Sequence, residues 1–167
     1  MTELPTELKL RLSAVEGWRE LGNLEEAWSE YWTIPEKYMD LPEVLEVRWL
    51  LEVAAEEWDS SLEIAIKLME LAPERPSGWI HRSYSLRRSK TGGLSAAKSA
   101  LMGAYKLFPQ EPVIPYNLAC YDCLLGESAS ALEWLAMAIK CSSKELIREM
   151  ALADEDLRAL RPEISRW

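Results

Sequence analysis

Two cysteines separated by two residues, Cys120 and Cys123, are the clearest candidates for chemistry in this chain. Cysteines three residues apart on one helix share a face, and Cys141 with the single histidine, His81, could complete a four-ligand zinc set. One C-x-x-C without a second pair or a preceding thioredoxin-type strand is weak evidence, and cysteine also packs as a small apolar residue. We therefore predict that these cysteines belong to the core, with no metal and no cofactor.

No other arrangement of residues predicts catalysis. His81 has no evident nucleophile beside it in sequence, and the chain contains no G-x-S-x-G, phosphate-loop or dinucleotide-binding motif. Its many carboxylates are typical of solvent-facing helix positions. The sequence therefore predicts a protein that binds and is not an enzyme.

Length and composition indicate the class of protein. The chain has 167 residues, of which 49% are hydrophobic, so it can bury a sizeable core in one domain, residues 1–167. Abundant Leu, Ala and Glu favour helices. No run of eighteen apolar residues suggests a membrane span, the start does not look like a secretion signal, and the three cysteines are an odd number. We expect a cytoplasmic protein that does not contact a membrane.

Charge is distributed unevenly along the chain. The net charge of −9 argues against nucleic acid as a partner, because binding phosphates requires a basic surface. Residues 77–108 nevertheless hold no acid and six bases: Arg82, Arg87, Arg88, Lys90, Lys98 and Lys106. This basic block could attract an acidic segment or a C-terminal carboxylate of a partner protein. Alternatively, it balances four acids across a repeat interface, where exposed pairs contribute roughly 0–1 kcal/mol each; these acids are Glu46, Glu52, Glu56 and Glu57.

An internal repeat organises the chain. Gly92, Ala97, Leu101 and Ala104 recur 34 residues later as Gly126, Ala131, Leu135 and Ala138. Going backwards, Leu68 precedes Ala104 by 36 residues, so two residues are inserted between those units. Four units result, at about 8–41, 42–75, 78–111 and 112–145. Each predicts two helices, and apolar residues three or four apart mark the buried face of the second helix.

This pattern resembles the tetratricopeptide repeat, a 34-residue helix pair with a small residue at its turn, alanines on its second helix and a closing proline. The turn position holds Gly22, Glu56, Gly92 and Gly126. The first small position holds Ala27, Ser61, Ala97 and Ala131, and the later one holds Ile34, Leu68, Ala104 and Ala138. The closing proline is kept at Pro73 and Pro109 only. The resemblance implies an all-α fold, a right-handed α–α superhelix built as a solenoid of antiparallel helix pairs.

Prolines and capping residues predict the ends of several helices. Pro35 should end the second helix of the first unit early, and Pro115 should lie in the first turn of its helix. Ser142 to Glu145 looks like a capping box that opens a capping helix at about 144–160, with its last turn ending before Pro162. Such a helix would cover the apolar face left by the last repeat.

In this family the first helices line a concave groove that binds peptides or helices of other proteins. Carried over by register, the groove residues are Leu50, Val53, Trp79, Arg82, Leu86, Lys90, Tyr116, Asn117 and Cys120. Trp, Tyr and Arg give large contact areas, which suits a peptide site. Trp79 and Tyr116 could instead pack between repeats, as aromatic residues usually do.

The predicted function is that of a protein–protein interaction module, or adaptor, with a peptide or helix of its partner in the concave groove. Two alternatives stay open at this point. One is a small chaperone of the same repeat type that shields an unstable partner. The other is a self-associating structural module, since eight tryptophans could supply an exposed apolar patch that forms a homodimer.

Overall fold

The structure, a computed structural model, describes residues 4–167. In this range the chain forms α-helices joined by short turns and contains no strand. It divides into two compact units, of which the first ends at Thr91 and the second is Gly92–Trp167. The prediction of an all-α protein is confirmed.

The first unit contains five helices. They are α1 (Thr6–Glu20), α2 (Leu24–Tyr31), α3 (Pro42–Ala54), α4 (Trp58–Leu71) and α5 (Pro76–Leu86), with a 3-10 turn at Glu36–Tyr38 between α2 and α3. Asn23 caps α2 by accepting a hydrogen bond from the Glu26 N–H at 3.2 Å. Pro42 and Pro76 occupy the first turns of α3 and α5, where a missing N–H costs nothing. As predicted, α2 ends before Pro35.

The core of the first unit lies where consecutive helices pack together. α1 packs against α2, α3 against α4, and α4 against α5, while α1, α3 and α5 are neighbours in that order. One buried cluster joins α1, α2 and α3 through Leu8, Val15, Tyr31, Val44 and Leu51. A second cluster joins α3 to α4 through Leu45, Trp49, Ile64, Ala65 and Leu68. Stacking of the helix pairs therefore buries apolar faces that a single pair would leave exposed.

The second unit contains five further helices: α6 (Leu94–Leu107), α7 (Val113–Leu124), α8 (Ser128–Cys141), α9 (Lys144–Ala153) and α10 (Arg161–Ile164), with a 3-10 turn at Glu155–Leu160. α7 packs against α6 and α8. The small and apolar positions of the repeat are fully buried here, namely Ala97, Leu101, Ala104, Ala131, Leu135 and Ala138. Pro115 lies in the first turn of α7, as its helix-breaking character predicts.

The end of the chain is only partly as predicted. Ser143 caps α9 by accepting a hydrogen bond from the Leu146 N–H at 3.2 Å, which confirms the predicted helix start. The predicted short turn that ends before Pro162 is present as the 3-10 turn at Glu155–Leu160, but the helical chain does not stop there. Pro162 occupies the first turn of α10, where its fixed φ and missing N–H are tolerated, so the chain stays helical to Ile164. The 3-10 turn at Glu155–Leu160 packs chiefly against α7, and α9 packs against α8.

The turns inside the helix pairs use a residue in the left-handed conformation. Gly22 (φ 76°), Glu56 (φ 57°) and Gly126 (φ 83°) fill this role, and Glu56 is the only non-glycine with positive φ in residues 4–167. In the third repeat the predicted turn glycine, Gly92, precedes the start of α6 by two residues, as the other three turn residues precede their helices. The residue with positive φ there is its neighbour Gly93 (φ 115°).

The two-residue insertion lies inside the third repeat. α3 and α5 begin at Pro42 and Pro76, 34 residues apart, whereas α4 and α6 begin at Trp58 and Leu94, 36 residues apart. The extra residues therefore follow α5, in the loop 87–93, and not between the second and third repeats as the sequence suggested. None of the helices described in residues 4–167 combines the length and the apolar character that a membrane span requires.

Candidate functional site

A cleft of about 650 Å³ lies on the first helices of the first unit. We call it the first-unit cleft. Its lining comes from the segment before α1 and from α1, α3 and α5: Leu4, Lys9, Leu12, Ser13, Glu16, Glu43, Glu46, Val47, Leu50, Ser77 and His81. Three neighbouring helices thus contribute one face each to a continuous concave surface, the arrangement predicted for a groove.

The first-unit cleft combines an apolar floor with an acidic rim. Leu12, Val47 and Leu50 form the floor, and the first two are 8% and 5% exposed because they also belong to the core. Three glutamates stand at the rim beside one lysine. This excess of carboxylates favours a cationic group on whatever lies in the cleft.

Two of the rim glutamates are held in place by α5 and its N-terminal flank. The Ser77 hydroxyl donates to Glu46 Oε1 at 2.7 Å, and Arg75 Nη2 donates to Glu43 Oε1 at 2.8 Å. Both pairs join α3 to the start of α5 across the cleft. The Glu43–Arg75 pair neutralises one carboxylate. Glu16 and Glu46 remain beside the single lysine, Lys9, so the rim keeps a net negative charge.

His81 forms one wall of the first-unit cleft. Its ring stacks on the indole of Trp49, with centroids 3.7 Å apart and planes 9° apart. Burial lowers the pKa of His81 to about 4, so the imidazole is neutral at physiological pH. The sequence did not mark His81 or Ser77 as groove residues. Aligning the two prolines that begin α3 and α5, Pro42 and Pro76, could have found them, because this alignment pairs Glu43 with Ser77 and Val47 with His81.

The predicted groove residues of the first unit lie in several places. Leu50 lines the first-unit cleft, and Val53 packs against the Leu45–Trp49 cluster. Trp79 donates its indole N–H to the Pro73 carbonyl at 3.1 Å, outside the cleft lining. Leu86 is half-buried and is also outside the lining. The prediction placed the two extra residues before α5, whereas they follow it. The repeat register therefore named residues on the wrong face of this helix.

The two predicted basic groove residues differ in their pairing. The Arg82 side chain forms no hydrogen bond or ion pair with another residue of the described chain, 4–167, and Arg82 is half-buried on α5. Lys90 is tied to Asp59: its N–H donates to Oδ1 at 3.0 Å, and its Nζ lies 3.2 Å from Oδ2. These contacts lower the pKa of Asp59, mainly through the backbone hydrogen bond.

The rest of the basic block is largely engaged within its own unit. Lys98 on α6 lies 2.5 Å from Asp122 Oδ1 and 2.8 Å from Glu127 Oε2. Arg88 stacks over the ring of Tyr84 at 4.0 Å. Lys90 and Lys98 therefore pair with aspartates and with Glu127, and not with the four glutamates that the sequence suggested.

In the second unit, the predicted groove residues of α7 meet the end of the chain. Tyr116 is 6% exposed and donates its hydroxyl to Asp154 Oδ2 at 3.0 Å. Cys120 is 3% exposed, and its thiol lies 3.6 Å from the same oxygen. Burial, followed by the neighbouring Cys120 and Asp154, raises the pKa of the Tyr116 hydroxyl well above its usual range. Asn117, beside them, is half-buried.

No disulfide joins the three cysteines, all of which lie in the described chain, and their surroundings differ. Cys120 and Cys123 are buried on α7, and Cys141 is half-buried with its thiol 3.5 Å from the Pro109 carbonyl. Within residues 4–167, the only group of side chains close enough to share an ion is Cys120 with Asp154 and Asp156. Of the four residues considered for a zinc set, only Cys120 belongs to that group.

Other concavities of the second unit show no comparable chemistry. A cleft of about 750 Å³ on α9 is lined by Lys144, Glu145, Arg148, Glu149, Leu152, Ala153 and Trp167. Its two bases and two acids leave no net preference for the charge of a ligand. A smaller cleft of about 420 Å³ lies beside Tyr105 and Trp134, whose rings meet edge to face at 5.1 Å.

Solved structures share the fold of this chain, although no protein-family model and no curated protein matches its sequence. TTC0263, a thermophilic tetratricopeptide-repeat protein of Thermus thermophilus, superposes with a TM-score of 0.74 at 19% identity, over 95% of this chain and 83% of that one. A MamA fragment from Desulfovibrio magneticus RS-1, beginning at its residue 41, gives 0.64 at 14% identity, over 98% and 94%. A further MamA structure gives 0.62 at 18% identity, over 91% and 88%.

These similarities cover nearly the whole chain and identify its architecture. The fold is that of the tetratricopeptide-repeat proteins, and the prediction from the repeated glycines and alanines is confirmed. Identities below 20% establish a shared fold and leave the ligand to be argued from the surface of this chain.

Proposed function

We propose that this protein is a binding module for another protein, and that a segment of the partner lies in the first-unit cleft. The observation that carries this proposal is the cleft itself: about 650 Å³ on three adjacent first helices, with an apolar floor and an acidic rim. A helix or an extended segment fills such a groove by inserting one or two apolar anchors. Binding without catalysis also agrees with a cleft whose histidine is packed flat against an indole.

The charge of the first-unit cleft suggests the chemistry of the partner. Leu12, Val47 and Leu50 would hold an apolar anchor, and Glu16 and Glu46 would accept hydrogen bonds from a lysine or arginine. A partner segment with an apolar residue beside a basic one is the best match. The acidic or C-terminal segment predicted from the basic block stays a prediction, and it concerns Arg82, which lies outside this cleft.

A comparison of three forms of the protein tests the proposal. The wild type, the cleft variant Glu16→Lys/Glu46→Lys and the control Glu63→Lys/Glu70→Lys are each used to capture partners from the native cell extract. Glu63 and Glu70 are exposed on α4, away from the cleft, and the control makes the same change in net charge.

A partner that is held by the wild type and the control and lost by the folded cleft variant supports the proposal. A partner held equally by all three forms contradicts it. A single captured protein that aggregates without this chain would favour the chaperone role over a general adaptor.

One further observation favours self-association as a second function. The outer face of α1 carries Leu10, 67% exposed, and Trp18, 39% exposed, and Leu21, which directly follows the helix, is 77% exposed on the same side. Between the two leucines the same face holds the small residues Ala14 and Gly17. This face therefore has a large leucine at each end and small residues in the middle. Two copies packed antiparallel would place the leucines of each helix beside those of the other, with the small residues at the crossing.

Light scattering over a range of protein concentrations tests this second function. We expect the wild type to form dimers at high concentration and Leu10→Gln/Leu21→Gln to remain monomeric. The matched control is Leu71→Gln/Leu107→Gln, because both leucines are also exposed, at 50% and 56%, but lie on other helices. A wild type that is monomeric at every concentration would exclude the dimer.

A further inference from the structure

One face of α7 is covered by the end of the chain. We define the C-terminal segment as residues 154–164, which includes the 3-10 turn at Glu155–Leu160 and α10. Tyr116 and Cys120 both contact the Asp154 carboxylate, at 3.0 and 3.6 Å. One turn further along the same face, Cys123 is also buried, and the 3-10 turn packs against this helix. The C-terminal segment therefore follows this face of α7 over two turns.

This covered face is the counterpart of the face that is open in the first unit. In the first, second and fourth helix pairs, whose helices are joined by three residues, counting back from the left-handed turn residue gives the correspondence. Leu12 and Glu16 precede Gly22 by ten and six residues, and Glu46 and Leu50 precede Glu56 by the same numbers. All four line the first-unit cleft.

Tyr116 and Cys120 precede Gly126 by ten and six residues. The position that is open on α1 and α3 is therefore filled on α7. What fills it is a segment of the same chain.

The C-terminal segment has the features of a groove ligand. Asp154 caps its first turn by accepting a hydrogen bond from the Asp156 N–H at 2.9 Å. Leu157, Leu160 and Ile164 follow at the third, sixth and tenth positions, and each is at most 2% exposed. Leu157 and Leu160 lie in the 3-10 turn that packs against α7, whereas α10 with Ile164 packs against α9 and that turn. One carboxylate and two apolar anchors on a short helical segment match helix-in-groove recognition.

We infer that the C-terminal segment is an internal ligand that occupies the groove face of α7, and that a partner segment of the same chemistry competes with it. That partner segment carries an acidic residue followed by large apolar residues at the third and sixth positions. A tethered ligand acts at a millimolar effective concentration, so the competitor binds weakly until the internal segment is released. The inference concerns the second unit alone, so it stands or falls independently of the first-unit cleft.

A synthetic peptide with the sequence of residues 153–165 tests the inference. Its binding to the full-length wild type is compared with binding to Leu157→Ala/Leu160→Ala, in which the internal segment has lost two anchors. We expect the peptide to bind the variant at least about tenfold more tightly, since the weakened internal segment competes less well, and the same peptide carrying Lys in place of Asp154 to lose that binding. Equal binding to both proteins overturns the inference, and so does absence of binding to a variant that keeps the wild-type circular dichroism spectrum.

If Leu157→Ala/Leu160→Ala unfolds, thiol labelling of the wild type tests the inference instead. Cys120 and Cys123 are protected by the C-terminal segment, and the half-buried Cys141 outside this face is the internal control. If the segment is released while the rest of the fold stays intact, Cys120 and Cys123 label at a rate that depends little on low urea concentrations. Labelling that requires global unfolding, with the full dependence on urea, would show a permanent structural cap and overturn the inference.

Discussion

The imidazole of His81 lies flat on the indole of Trp49, and the same indole donates its N–H to Ser85 Oγ at 2.9 Å. The Ser61 hydroxyl lies 2.8 Å from the same Ser85 oxygen. Trp49, Ser61 and Ser85 come from α3, α4 and α5, so one buried network ties three helices together beneath the first-unit cleft. Because buried polar groups are costly when unpaired, this network makes the arrangement of the three helices specific.

The stability of the protein should fall between pH 7 and pH 5 because of His81. Its pKa is about 4 in the folded state and about 6.5 in an unfolded chain, so the unfolded state alone takes up the proton in this range. The contribution of the neutral His81 to the free energy of unfolding is complete above pH 6.5 and is lost as the pH falls towards 4. We expect the free energy of unfolding to drop by about 1–2 kcal/mol between pH 7 and pH 5.

Urea unfolding at both pH values measures this drop, and His81→Phe is the control. Phenylalanine keeps a flat ring against Trp49 but cannot take up a proton. The variant should therefore lack most of the loss between pH 7 and pH 5. An identical loss in the wild type and in His81→Phe would show that other groups cause it.

Glu56→Gly should stabilise the protein. Glu56 occupies the left-handed turn between α3 and α4 with φ 57°, a conformation in which a side chain is strained and which Gly22 and Gly126 fill elsewhere. We expect a gain of roughly 0.5–1 kcal/mol in the free energy of unfolding, since the glycine also loses more backbone entropy. The opposite substitution at an equivalent turn, Gly126→Glu, should lower the free energy of unfolding. A loss of stability in Glu56→Gly, measured by urea unfolding, would contradict the prediction.

Gly78→Ala should destabilise the first unit. A Cβ at this position would lie 2.7 Å from the Met69 backbone nitrogen and 2.9 Å from the Met69 Cα, so α5 would have to move away from α4. We expect a cost of roughly 1–3 kcal/mol in thermal or urea unfolding. The matched control is Gly17→Ala on α1, where the new Cβ would meet nothing within 4 Å. This variant should raise the free energy of unfolding by up to about 1 kcal/mol, because alanine favours a helix more than glycine does.

Lys98→Met should destabilise the second unit. Asp122 is fully buried, and Lys98 is its ion-pair partner from α6; the hydrogen bond to Asp122 is the main cause of the raised pKa of Lys98. Removing the lysine leaves a buried carboxylate with one hydrogen-bond donor, Ser130, at a cost of roughly 2–4 kcal/mol.

Lys106→Met, an exposed change on the same helix, should cost less than about 0.5 kcal/mol. The double variant Lys98→Met/Asp122→Asn should recover part of the loss, since it removes the uncompensated charge. Unfolding curves in which the two single lysine variants are equal would show that the ion pair contributes nothing to stability.

The fold could be predicted because each repeat position has a simple physical role. Ala27, Ser61, Ala97 and Ala131 are all fully buried, because only a small side chain allows two helices to approach closely there. The spacing of these residues is visible in the sequence without any tertiary information. The same holds for Ser143, whose hydroxyl caps α9.

The candidate site could be predicted only in part, because the spacing of a repeat does not show where an insertion lies. The two extra residues could precede or follow α5, and only the structure shows that they follow it. That choice decides whether Trp79 and Arg82 or Ser77 and His81 face the first-unit cleft. A helix rotates by about 100° per residue, so a shift of two residues exchanges one face for another.

The packing of the C-terminal segment on α7 could not be predicted from residue patterns either. Asp154 lies 38 residues after Tyr116, and nothing in the local sequence pairs an aspartate before a 3-10 turn with that tyrosine. Pro162 added to the difficulty because a proline ends a helix or begins one, depending on the residues around it.

The place where the chain divides also matters for anyone who wishes to recombine these repeats. The sequence repeat pairs α5 with α6, whereas the compact units place α5 with α4, and the division falls in the loop between α5 and α6. A graft or fusion joined between residues 75 and 76, at the border of the inherited repeats, would separate Gly78 from Met69, where the two helices touch. A junction in the loop 87–93 would keep that contact intact.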